Sequence, residues 1–108
     1  MISLKNMEDA LTYLAESDEE EANLRAAMDG AKKKMESEFT ILAAHSGEKT
    51  VLEKEAFAYS HDNYKAAESS WLSALSRHGH VKNRRSTGCI LIDAWRSLNA
   101  ARNKGQII

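Results

Sequence analysis

Apolar residues recur along most of this chain at alternating steps of three and four, the period of one face of an α-helix. Leu4, Met7, Leu11 and Leu14 form the first stripe. With Ser3 as a capping residue ahead of it, the stripe predicts a short helix over about residues 4–15. Ser17-Asp18-Glu19-Glu20 then reads as a capping box, a hydroxyl at the N-cap and a carboxylate three residues on. Asp18 to Glu21 would crowd a first turn, where the helix dipole favours negative charge, so the acidic run is a helix start rather than a metal-binding or activation motif. A long helix is expected from about 18 to 45. Its seam is Leu24, Met28, Ala31, Met35 and Leu42, interrupted only at Glu38 and thickened by Phe39. That spacing averages 3.5 residues, the repeat of a left-handed coiled coil. Ser46-Gly47 ends it, with His45 in the last turn.

Thr50-Val51-Leu52-Glu53 is a second capping box and opens a short helix of about 51–58. After a weak break at Ser60-His61-Asp62, a long helix is expected over about 61–103, closed by Gly105 with Arg102 and Lys104 in the last turn. Its seam is Tyr64, Ala67, Trp71, Ala74 with Leu75, His78, Val81, Gly88, Ile92, Trp95 and Leu98, broken at Arg85. The 108 residues thus predict one helical domain, 1–108, with an all-α fold: a long helical hairpin or coiled-coil-like bundle. A helix of about 43 residues is roughly 65 Å long and one of about 28 roughly 42 Å, so the longer overhangs. The overhang would leave the apolar stretch from Ile90 to Leu98 without a partner in its own chain. Homo-oligomerisation through Trp71, Ile92, Trp95 and Leu98 is the economical remedy.

Composition narrows the fold class further. The chain has no proline, and its abundance of Ala, Leu, Glu, Lys, Arg and Met favours helix over a β-sandwich or barrel. Apolar runs stop at three or four residues, as at Ile41-Leu42-Ala43-Ala44, against the ~20 of a membrane span. Met1 to Lys5 leads into an acidic amphipathic stretch rather than a signal peptide. The one cysteine, Cys89, rules out an internal disulfide and suits the cytoplasm, the host's if the chain is phage-encoded.

Candidate chemistry is sparse. His78 and His80 are two residues apart and diverge on a helix, while His45, His61 and Cys89 lie on other turns, so no metal site is expected. Cys89 sits between Gly88 and Ile90 and is expected to be packed rather than reactive. No phosphate-binding glycine loop, nucleophile elbow or zinc-protease motif occurs, and paired helices offer no deep pocket. The chain reads as a non-enzyme without cofactor.

Charge carries more content. Residues 1–60 hold thirteen acids and seven bases, whereas residues 77–108 hold seven bases and one acid, Asp93. Arg77, Lys82, Arg84, Arg85, Arg96, Arg102 and Lys104 are candidate nucleic-acid contacts, because arginine forks suit phosphate oxygens and counterion release drives such binding. Trp71 and Trp95 offer stacking surfaces, although their spacing suits core or interface packing better. Lys32-Lys33-Lys34 is read as a solvated run. The rival to a polyanion is the acidic face of another copy of the chain.

The stretch carrying Arg84-Arg85, Leu91-Ile92-Asp93, Trp95-Arg96-Ser97, Ala100-Ala101-Arg102 and Lys104-Gly105 resembles the tail of small helical proteins from bacteriophage recombination and replication cassettes. The layout is also similar: an acidic-capped long helix, a Gly-containing break, then a longer helix ending in a basic residue, Gly and an apolar pair. Over about residues 18–105 the likeness is to the UvsY-like recombination mediators. It implies an oligomeric accessory factor that binds single-stranded DNA, helps load a recombinase, has a recombinase or a single-stranded-DNA-binding protein as its protein partner, and has no catalytic residues. The alternative from another class is a helical adaptor or inhibitor that binds a host or phage protein through the apolar 90–98 face, without nucleic acid.

Overall fold

Three helices carry the chain in the computed structural model, which describes residues 3–107 and their side chains as far as residue 103. They are α1 (Leu4–Ala44), α2 (Val51–Ser60) and α3 (Asp62–Ile107), and no strand occurs among the described residues. The architecture is the expected all-α helical hairpin.

The expected break between residues 15 and 18 is absent, and α1 is one helix of 41 residues. Ser17 is therefore not an N-cap; it lies in mid-helix and is only 3% exposed. A capping box starts a helix only where something has stopped the previous one, and no Gly or Pro stands between Leu14 and Asp18. The seam itself runs straight through. Met7, Ala10, Leu14, Ser17, Glu21, Leu24, Met28, Ala31, Met35, Glu38 and Leu42 alternate steps of three and four, and every one of them is buried or half-buried. Ser17, Glu21 and Glu38 hold seam positions that a reading restricted to apolar residues skips.

Side chains finish the helix ends. Ser3 Oγ accepts from the Asn6 N–H at 3.1 Å. At the far end of α1 the His45 ring nitrogen meets the Ile41 carbonyl at 2.9 Å, and Ser46 Oγ donates to the Ala43 carbonyl at 2.9 Å. Gly47 then turns the chain with φ 76°, a conformation that costs glycine nothing. Thr50 caps α2 as expected, its hydroxyl accepting from the Glu53 N–H at 3.2 Å. At the break, His61 is extended, its N–H bonds the Ala58 carbonyl, and its Nδ1 accepts from Asn63 at the start of α3. α3 passes through Gly105 to Ile107 instead of stopping there; one glycine costs a helix about 1 kcal/mol, too little to end it.

Contacts group the chain into two compact units. The turn unit, Asn23–His78, holds a core of Leu42, Ala58 and Tyr64 with Met35, Phe39, Ala43 and Phe57 against it. Phe39, Tyr59 and Tyr64 stack tilted and edge-on, with centroids 4.8 to 6.0 Å apart. The terminal unit, Met1–Ala22 with Gly79–Ile108, pairs the start of α1 antiparallel with the second half of α3. There Gly88 brings the helices close: a Cβ on it would stand 3.7 Å from Leu14 and 3.8 Å from Ala10.

Gly30 is exposed inside α1 with nothing within 4 Å of the place of a Cβ. Gly30→Ala should therefore stabilise the protein by about 1 kcal/mol, read as a rise in Tm of roughly 4 °C or more. In the turn unit, burial, and then the Glu68 carboxylate beside it, raises the Tyr64 phenol above its ordinary pKa of 10.0. The folded state thus favours the neutral phenol. Its contribution should be complete below the unfolded value and lost as pH rises through the raised one. Spectrophotometric titration should find one tyrosine ionising late, and Glu68→Gln should bring it earlier.

Candidate functional site

The basic half of α3 does not stand free. In the terminal unit it lies along the most acidic part of the chain: residues 3–22 carry seven acids and one base, residues 79–103 five bases and one acid. Opposite net charges thus lie side by side within one molecule and meet in the ion pair between Arg85 and Asp18.

Arg85 is the centre of this pairing. It occupies a seam position of α3 and is 22% exposed at the side chain. Its Nη1 donates to the Leu14 carbonyl and to Ser17 Oγ, both at 2.8 Å. Its Nη2 reaches Asp18 Oδ1 at 3.3 Å. The guanidinium fork thus gives nearly buried Ser17 a partner and supplies a mid-helix carbonyl with an extra donor. One residue earlier, Arg84 lies over the Tyr13 ring, 4.3 Å from its centroid. Two of the seven expected nucleic-acid contacts are thereby engaged with α1.

The others do not gather into one patch among the described residues. Lys82, Arg96 and Arg102 are exposed on α3 in the terminal unit, Arg77 is exposed in the turn unit, and the Lys104 side chain lies outside the described residues. Lys82 and Arg96 share a flank of α3 with each other but not with Arg84, which sits across the seam. Fourteen residues separate them, about 21 Å of helix axis.

The expected oligomer contacts divide as well. Ile92 is 6% exposed, covered already within its own chain. The cause is the continuity of α1, whose first four turns supply the partner that the 90–98 segment was expected to lack. Trp71 and Trp95 are half-buried on the seam, and Leu98 is exposed because Asn99, four residues after Trp95, takes the seam position instead. Cys89 is exposed rather than packed, since Gly88 holds the seam and the next residue turns about 100° away.

Beside the seam the small pair Ala10 and Gly88 leaves an open groove of about 450 Å³, walled by Tyr13, His80, Arg84 and Leu91. Leu98, one heptad beyond Leu91, continues its apolar side. No group of three or more His, Cys, Asp or Glu side chains suited to a metal occurs among the described residues. Among the described residues no helix is long and apolar enough to cross a membrane. Comparison with protein-family models, curated proteins and solved structures finds no match to this chain.

Truncating the Arg85 fork should cost far more than removing the carboxylate it touches. Arg85→Ala leaves Ser17 buried without its donor and should lower the urea unfolding free energy by about 2 kcal/mol. Asp18→Asn should change it by less than about 1 kcal/mol, because Asp18 is 80% exposed and its ion pair is screened.

Proposed function

We propose that this chain is a non-enzymatic helical adaptor that recognises a protein partner through the groove over Ala10 and Gly88. One observation carries the reading: a hollow with a small-residue floor, walled by Tyr13 and Leu91 and prolonged by exposed Leu98. An amphipathic helix presents large apolar side chains at three- and four-residue spacing, and a hollow of this kind receives one of them. The engagement of Arg84 and Arg85 with α1 favours a protein rather than a polyanion as the ligand, since those two side chains are occupied at home. The resemblance to phage recombination mediators suggests the setting: a recombination or replication complex, with the partner a recombinase or a single-stranded-DNA-binding protein.

A second reading, direct binding of single-stranded DNA, keeps the support of exposed Lys82, Arg96 and Arg102. It is weakened by the 21 Å between Lys82 and Arg96, several times the spacing of successive phosphates.

One pair of assays separates the two. Under the adaptor reading, immobilised protein captures a defined partner from lysate, Leu98→Lys abolishes the capture, and Arg102→Glu leaves it intact. Fluorescence anisotropy with an oligonucleotide then shows no binding at moderate salt. Oligonucleotide binding that weakens with salt and is lost in the Lys82→Glu, Arg96→Glu double variant would overturn the adaptor reading in favour of DNA.

A further inference from the structure

The opposite flank of the terminal unit has no part in that groove. Leu4, Leu11 and Asp18 follow one another there at seven-residue steps on α1, and Lys82, Cys89 and Arg96 do the same on α3. All six are exposed, and Ile90 next to Cys89 is 67% exposed. None of them belongs to the seam, which Met7, Ala10, Leu14 and their partners on α3 fill. A helix paired with one neighbour needs two apolar positions per heptad. Leu4 and Leu11 give α1 a third apolar position beside the seam over two heptads, the pattern of a helix with a second neighbour. On α3 only Cys89 of the three matching positions is apolar, and Lys82 and Arg96 are charged.

We propose that this flank is covered by the same flank of a second copy of the chain. The two copies are related by a two-fold axis running along the helices, so that two terminal units close into four helices. Charge identifies the occupant. α1 is strongly acidic here and α3 strongly basic, so an arrangement placing α1 beside the partner's α1 is repelled. One placing α1 beside the partner's α3 alternates sign around the bundle. A two-fold along the helix axes gives the second arrangement and keeps each residue at its own height. Leu11 then packs toward the partner's Cys89, and the aliphatic stem of the partner's Arg96 covers Leu4. Asp18, 80% exposed although it touches Arg85, gains the partner's Lys82. The contact is isologous and closed, which limits assembly to a dimer.

Light scattering on the full chain, together with the reactivity of its sole cysteine, tests this. The expected mass at low salt is twice 12.0 kDa. Cys89 should react with a thiol reagent several-fold more slowly in concentrated than in dilute protein. Leu11→Lys, and independently Lys82→Glu, should return both the single-chain mass and fast reaction while helicity by circular dichroism stays unchanged. Leu98→Lys, on the groove flank, should alter neither readout, so failure here and failure of the adaptor reading are separable. A single-chain mass at every concentration at low salt overturns the proposal. So does a dimer that survives both flank variants, or one in which Cys89 reacts at the dilute rate.

Discussion

The pairing of Arg85 with Leu14, Ser17 and Asp18 is the constraint on which the terminal unit rests. Its seam is poor in bulk: Ala10, Gly88 and Val81 bury little apolar area, and no large side chain among the described residues is fully buried. Small residues let helices approach but carry little shape of their own with which to specify register. A guanidinium at a seam position is different. It must find acceptors where it lands, and only one register offers a carbonyl, a hydroxyl and a carboxylate together. The polar contact thus selects the alignment, and the apolar contacts stabilise whatever alignment is selected.

The same contact changes how the charge pattern should be understood. An acidic beginning and a basic end look, on a linear sequence, like two surfaces awaiting two partners. Folded antiparallel, they lie side by side, and two of the arginines find their partners on α1. Arg84 over Tyr13 and Arg85 against α1 show how such residues are absorbed: the Arg85 fork finds acceptors on the neighbouring helix, and the planar face of Arg84 finds a ring. What the terminal unit then offers to other molecules is its two flanks, one hollowed over Gly88, the other lined by leucines with charges at their edge.

The turn unit depends on another balance. Aromatic rings from α1, α2 and α3 gather around Tyr64, and the short α2 is held by Thr50 at its start and by His61 beyond its end. Here local signals and packing agree, so the sequence-based boundaries of α2 come close to the observed ones. In the terminal unit they disagree. A local capping motif at Ser17 competes with a long-range seam, and the seam prevails because nothing in the backbone requires a break.

Helix content, the 3.5-residue seams, the Thr50 cap and the Gly47 turn were legible in the residues themselves, because each follows from contacts within a few positions. Tyr64, Ala67, Ala74 and Val81 were likewise placed on the inner face by spacing alone. The continuity of α1 was also encoded, in the unbroken three-four rhythm through Ser17 and Glu21, but polar residues at seam positions hid it. Only the tertiary structure decided that Arg85 serves the seam rather than solvent, that Ile92 is covered by its own chain, and that Cys89 and Leu98 are left outside. Those outcomes depend on which segment lies opposite, across some seventy residues of chain, and one-dimensional periodicity carries no information about the opposing partner.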